Sequence, residues 1–191
     1  MQFSLFGAEA ADPGLSDLDG VLLAGGHWVR SGPSARLSIV VADRWRAQAL
    51  TAAFAERGVA DQQGIRDAEF GYAVRTDFAP ELVDEAARWS RGADERPPVE
   101  LRISAGALRL WAISSGRMDQ AGYVFATSRA ADVDDAVHQA AGSQLARLGL
   151  AAASLANRGG PGWRITSARR LRRLAELVGQ PPDGAGSDWP C

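Results

Sequence analysis

The chain of 191 residues contains no lysine and a single cysteine, Cys191, its last residue. One thiol excludes a disulfide framework and a cysteine-built metal cluster. No apolar run approaches the roughly 18 residues that a membrane span requires, the longest being as short as 38–42. The N-terminus carries Glu9 and Asp12 and no early Arg, which is not a signal-peptide pattern. There is no Gly-x-Ser-x-Gly elbow, no Cys–His pair, and no Gly-rich loop followed by Lys and Ser or Thr. These absences predict a soluble cytoplasmic protein without a cofactor, a metal or a membrane partner. What is present is a core: 46% of residues are hydrophobic, with six Trp and six Phe, enough for one domain or two small lobes.

Formal net charge is −2, but its distribution is uneven. Residues 1–100 hold 10 Arg against 16 acids, whereas residues 101–191 hold 11 Arg against 7. Between Ala136 and Ala175 no acid occurs, while Arg147, Arg158, Arg164, Arg169, Arg170, Arg172 and Arg173 fall inside. Such asymmetry points to a polyanion-facing side, and for the 169–173 cluster alone a solvated helix face explains it equally well.

Hydrophobic periodicity gives a repeated order of elements. A short helix over 15–24 ends at Gly25-Gly26, and 27–30 with 36–42 form a hairpin around a Gly-Pro turn. Asp43 caps a helix over 44–57 whose Trp45, Ala49, Leu50 and Phe54 share one face. Residues 59–66 and 70–76 make a second hairpin, and 80–90 a helix with Pro80 in its first turn. Residues 91–98 are polar and Pro-rich, the one internal linker. The order then recurs. A helix covers 105–115, strands lie within 117–128, a helix covers 133–148, and 151–157 with 163–166 form a hairpin around the turn 158–162. Ser167 caps a final helix to Val178. Gly26 to Gly116, Gly58 to Gly149, Tyr72 to Trp163 and Leu82 to Leu171 all recur at about one offset near 90 residues. The expected architecture is α+β: two pseudo-symmetric αββαββα lobes with curved antiparallel sheets. The boundaries are an N-terminal arm at 1–14, lobes at 15–96 and 97–180, and a disordered tail at 181–191. Trp45, Phe54, Leu82, Trp111, Leu145, Leu148 and Leu171 should face the core.

Leu18-Asp19-Gly20-Val21-Leu22-Leu23-Ala24-Gly25-Gly26 resembles the nonapeptide of the LAGLIDADG homing-endonuclease family. It agrees at the first Leu, the third-place Gly, the apolar pair, the seventh-place Ala and the last Gly. The second copy, 108–116, agrees mainly at its ends, with Leu110 and Ser114 replacing the small pair. The order of elements resembles the family over residues 15–179. The resemblance implies that the nonapeptide helices pair at a pseudo-twofold axis, where Gly20 and Ala24 would permit close approach. It also implies that the eighth residue of each nonapeptide would be a metal-holding acid. Here those places are Gly25 and Ser115, so no hard oxygen cage for Mg²⁺ is expected. Asp19 lies roughly 9 Å up the helix axis from the required place, and Asp119 lies beyond the second helix. The family includes non-cleaving members, among them a bacterial sporulation-regulator branch, in which the sheets survive as a DNA-binding surface.

A second resemblance lies in Gln2-Phe3-Ser4-Leu5-Phe6, which is similar to the bacterial sliding-clamp-binding peptide. Gln2, Leu5 and Phe6 would be its anchors, on a small-residue tether over 7–14. An arm tucked onto its own domain is the alternative. The resulting expectation is a monomeric, nucleoid-associated, non-catalytic DNA-binding protein of replication, repair or transcription. It would prefer double-stranded to single-stranded DNA and be tethered to the sliding clamp. Alternation along strands puts Arg36 with Ser38, and Arg164 with Thr166, on common faces. With Arg30, Arg66, Arg75, Arg117 and Arg158 they are the candidate phosphate-contacting residues, although any one strand-borne Arg could equally protect a sheet edge. The alternative is a protein-interaction adaptor on a LAGLIDADG-like scaffold that no longer binds DNA; a residual nuclease using Asp119 ranks last. Asp132, Asp134, Asp135 and His138 could be drawn as a metal site, but helix capping explains the acids more simply. His27 reads as a strand residue.

Overall fold

The computed structural model describes residues 7–8, 11–91, 94–127, 136–155 and 161–190. Chain order runs α1 (Asp19–Leu23), β1 (His27–Ser31), β2 (Ser34–Val41), α2 (Arg44–Glu56), β3 (Arg66–Ala68), β4 (Gly71–Arg75) and α3 (Val83–Arg88). A short ribbon, β5 (Ser90–Arg91) and β6 (Asp94–Glu95), leads to the second lobe. There α4 (Ala105–Ser115), β7 (Gly116–Asp119), β8 (Gly122–Ala126), α5 (Ala136–Arg147), β9 (Ala153–Leu155), β10 (Gly162–Ile165) and α6 (Ala168–Val178) follow. The two four-stranded sheets have the same order, β1-β2-β4-β3 and β7-β8-β10-β9, with every pairing antiparallel. The αββαββα repeat expected from the 90-residue spacing is the architecture found.

Each sheet buries one face on helices, as alternation demands. In β2, Ala35, Leu37, Ile39 and Val41 are buried; in β8, Tyr123 and Phe125 are. Helix α4 is buried from Ala107 to Ser114 on every side except at Arg109, the mark of a central helix. Its partner is α1. A Cβ on Gly20 would lie 1.8 Å from the Ala107 carbonyl oxygen, so the two backbones touch directly. Buried polar links surround this contact. Ser104 Oγ accepts from Ala107 N–H at 2.9 Å, capping α4, and donates to Asp17, which also accepts from Arg57 Nη2 at 2.6 Å. Asp19 accepts from Trp89 Nε1 at 2.6 Å and Arg88 Nη2 at 2.9 Å. Burial pushes the Asp19 carboxyl above the ordinary carboxylate range, with Trp89 and Arg88 opposing that shift.

Several expectations need correction. Residues 59–65 are not a strand: Asp61 accepts from Gln63 N–H at 2.9 Å and Gly64 N–H donates to the Asp61 carbonyl at 3.2 Å. That turn chemistry defeats the apolar alternation, and β3 begins only at Arg66. Asp43 does not cap α2 with its side chain and pairs with Arg46 instead. Residues 91–98 are less a free linker than a tether, since Glu95 Oε1 accepts from Trp28 N–H at 2.6 Å. Residues 181–190 are not a disordered tail. Trp189 is buried, donates from Nε1 to the Gly179 carbonyl at 2.8 Å, and lies under the Arg109 guanidinium at 5.2 Å. One aromatic anchor outweighs the Pro/Gly composition around it. Phe54, Leu82, Trp111 and Leu145 are fully buried, while Trp45, Leu148 and Leu171 are half-buried. The start expected at Val133, and Cys191, lie outside the described residues.

The α1–α4 contact leaves no room for a methyl group. Gly20→Ala should cost about 3 kcal/mol, the upper end of overpacking penalties, or roughly 6–12 °C in melting temperature. Gly14→Ala, whose Cβ would meet only Ser16 Oγ at 3.7 Å, should be neutral. Thermal melts of both variants check this, and equal effects would contradict it.

Candidate functional site

Cross-strand register decides which strand residues share the open faces, those turned away from the helices. On the first sheet Arg36 pairs with Val29, Ser38 with His27 and Arg75, and Arg66 with Ala73. Ser38 and Arg75 are therefore directly opposite each other, with Arg36 two residues along the same strand and Arg66 across β4. No Asp or Glu holds an open-face strand position of this sheet. Arg36 stacks over the Phe78 ring at 4.4 Å, which fixes its direction. Among the described residues the buried Nε–H groups of Arg36, Arg75 and Arg164 donate to no protein acceptor. Arg30 does not join this group. It pairs with Ala35, so it shares the helix side with Trp28, and its Nη2 donates to Ser90 Oγ at 2.6 Å. The two-residue Gly32-Pro33 turn sets that parity.

The second sheet is weaker in free charge. Arg117 and Arg164 both pair with Val124, from either side, and leave it buried beneath them. Arg164 is neutralised by Asp119 through Nη2. Partial burial would raise the Asp119 carboxyl, but the Ala121 N–H and Arg164 outweigh it and hold the group below the ordinary carboxylate range. Thr166 is exposed one residue past β10, and Arg158 lies outside the described residues, as do Gln2, Leu5 and Phe6. The Arg169, Arg170 and Arg172 side chains are exposed on α6, a helix that packs on α4. The surface with the most unpaired strand arginines thus belongs to the acidic half of the sequence.

Between the sheets, at the C-terminal ends of α1 and α4, lies an open cleft of about 890 Å³. Gly25, Ser114 and Ser115 line it, with Arg117 of β7, Thr127 just past β8, Phe70 of the β3–β4 turn, and the acids Asp43, Glu69 and Asp188. Ser115 Oγ donates to the Ala126 carbonyl at 2.7 Å, and Ser114 Oγ to that of Leu110 at 2.7 Å. Sequence reasoning missed the residue that closes the cleft floor, Arg46. Its side chain is only 6% exposed, and it reaches Ala112 O at 3.3 Å, Ile113 O at 2.9 Å and Gly116 O at 2.7 Å. Asp43 Oδ2 at 2.9 Å and Asp188 Oδ2 at 3.2 Å complete its shell. A guanidinium thus satisfies the carbonyls left open at the end of α4 and complements the helix dipole. The spacing Asp43-x-x-Arg46 was the available signal.

The acids considered from the sequence are occupied elsewhere: Asp19 by Trp89 and Arg88, Asp119 by Arg164. Among the described residues no three His, Cys, Asp or Glu side chains gather as metal ligands. His138 is buried, with Nε2 2.8 Å from Ser154 Oγ and its ring stacked on Trp163 at 4.8 Å; Asp132, Asp134 and Asp135 lie outside the described residues. No described helix is long and apolar enough to cross a membrane.

No protein-family profile and no curated protein matches the sequence. Solved structures do match the fold. The homing endonuclease I-WcaI bound to its DNA recognition sequence superposes at a TM-score of 0.63 and 13% identity, over 85% of this chain and 79% of that one. The N-terminal LAGLIDADG domain of DUF199/WhiA superposes at 0.55 and 10% identity, over 89% of this chain and 83% of that one. The fold is that of LAGLIDADG homing endonucleases.

Arg46 is the structural keystone of the cleft floor. Arg46→Ala should destabilise the protein by about 3–5 kcal/mol, the cost of breaking a buried charged network, and Arg46→Lys should recover only part, since one ammonium cannot serve five acceptors. Urea unfolding measures both; a loss within about 0.5 kcal/mol, as at an ordinary surface site, would contradict the assignment.

Proposed function

We propose that this protein binds double-stranded DNA across the open faces of its two sheets and does not cleave it. The observation that carries the reading is the grouping of Arg36, Arg66 and Arg75 on one open face with no carboxylate among its strand positions. Strand-borne guanidinium groups at fixed spacing suit phosphate contact, which sets register and orientation on a duplex. Arg117 extends the track to the cleft, and Ser38 offers a hydroxyl between Arg36 and Arg75. The homing endonuclease solved on its DNA recognition sequence has the same fold, which supports DNA binding here.

The non-cleaving part of the proposal rests on the cleft. Gly25 and Ser115 stand where the nonapeptide resemblance calls for acids, and neither can hold a divalent cation between carboxylates. The two acids beside the cleft floor, Asp43 and Asp188, are paired with Arg46, which holds them as its own counter-ions. A role in replication, repair or transcription is part of the same proposal. Clamp tethering through Gln2, Leu5 and Phe6 remains a separate proposal. Leu5→Ala with Phe6→Ala should abolish retention on immobilised bacterial sliding clamp and leave the melting temperature unchanged. Failure of the parent protein to be retained would remove this part.

A protein-interaction adaptor is the second reading, favoured by the neutralisation of Arg164 by Asp119 and by the exposed Val40 and Phe70. Fluorescence anisotropy against salt separates the two. DNA binding should weaken linearly in log–log form, with a slope near −0.9 per phosphate contact. Arg36→Ala/Arg66→Ala/Arg75→Ala should flatten that slope by roughly 2.7. Asp119→Asn should strengthen binding and steepen the slope by about 0.9, because it frees Arg164 for one more phosphate. No binding at low salt would leave the adaptor reading in place.

A further inference from the structure

Four large apolar side chains stand exposed among the described residues: Val40 at 51%, Phe70 at 67%, Phe78 at 41% and Val99 at 89%. Single exposed apolar groups need no explanation. Three of these four, however, belong to the arginine-lined sheet. Val40 is an open-face residue of β2, paired with Ala73, which in turn pairs with Arg66. Phe78 supports the Arg36 guanidinium. Phe70 occupies the two-residue turn between β3 and β4, and both it and Val40 line the central cleft.

The turn that presents Phe70 is closely packed at its far end. Ala68 pairs with Gly71, and Gly71 has φ +137°, with room for no side chain: a Cβ there would lie 2.1 Å from the Val41 carbonyl. Gly71 thus sits against the end of β2, and Phe70, the residue before it, stands exposed at the cleft. The cleft it borders, about 890 Å³, lies within the roughly 300–1,000 Å³ typical of small-molecule pockets. Its other walls mix small and hydroxyl-bearing residues, Gly25, Ser115 and Thr127, with charged ones, Arg46 and Arg117 against Asp43, Glu69 and Asp188.

We propose that Phe70 is a base-stacking wedge and that the DNA this surface prefers is a duplex interrupted by unpaired bases, one of which enters the cleft. This rests on the DNA-binding reading and names its substrate class. A continuous duplex offers the sheet phosphates and groove edges, and gives a phenyl ring thymine methyls but no open base face unless a stacked step is broken. An unpaired base offers a π-face, and aromatic side chains beside a basic track are the device by which proteins hold such bases. Arg66 and Arg75 hold the flanking phosphates while Phe70 and Val40 cover the open step. Extrusion of a base is least costly where pairing is already broken.

The test compares three labelled probes by anisotropy: a fully paired 20-mer, the same 20-mer with a three-nucleotide central bubble, and the single strand. The bubble should bind about tenfold or more tighter than the paired duplex, the size that one base–aromatic stack carries. Phe70→Ala should bring the bubble down to the paired duplex and leave the paired duplex within twofold, with an unchanged melting curve. Phe70→Trp should retain the preference. A 2-aminopurine in the bubble should change its emission on binding the parent protein, as it leaves the stack of its neighbours, and not on binding Phe70→Ala. Equal binding of bubble and paired duplex, or equal loss of both in Phe70→Ala, overturns the proposal and leaves the DNA-binding reading intact. A single strand preferred to the bubble also overturns it. Binding to none of the three overturns both.

Discussion

One missing methyl group organises this molecule. Gly20 lets α1 rest on the backbone of α4 at Ala107, and that contact is what allows a five-residue helix and an eleven-residue helix to share one buried axis. Helix α4 is enclosed by α1, α2 and α6, and each sheet keeps one face on the helices and one face open. The polar links beside the contact are consequences of the same closeness. Asp17 reaches from the first lobe to the cap of α4, and Asp19 binds Trp89 and Arg88 just beyond. Each buried carboxylate is fully engaged, as burial requires.

The axis also dictates what happens at its lower end. Helix α4 stops at Gly116 with carbonyls facing inward, and a buried donor must meet them. Arg46 does so from α2, and Asp43 and Asp188 balance its charge. The chain beyond α6 thereby becomes part of the core instead of a tail, with Trp189 as its anchor. At this central place a guanidinium held between two carboxylates stands beside two serines. The surface chemistry then shifts outward, to Arg36, Arg66 and Arg75 on the first sheet and to the aromatic at its inner edge.

Much of this could be read from residue order alone. The duplicated αββαββα pattern, the helix at 105–115 and the β1–β2 hairpin followed from glycine stops and apolar periodicity, which are local signals. Register was half legible: alternation put Arg36 with Ser38, but only the Ser31–Ser34 pairing shows that Arg30 falls on the opposite side. Arg46, Asp188 and Trp189 were illegible because their partners lie 66 to 142 residues away or depend on a single aromatic in a Pro/Gly-rich stretch. Charge counting misled for a simple reason. The basic half spends Arg164 on Asp119 and exposes its cluster on α6, whereas the acidic half keeps its acids off the open strand face. Net charge reports on the whole surface, not on one side of one sheet.

A chain whose 21 basic residues are all arginine allows a direct map of where DNA lies. Arginine-selective dicarbonyl labelling, read by mass spectrometry with and without duplex, measures protection residue by residue. DNA should shield Arg36, Arg66, Arg75 and Arg117 and leave Arg169, Arg170 and Arg172 as reactive as in the free protein. Shielding confined to the α6 arginines, with the sheet arginines unprotected, would contradict the account.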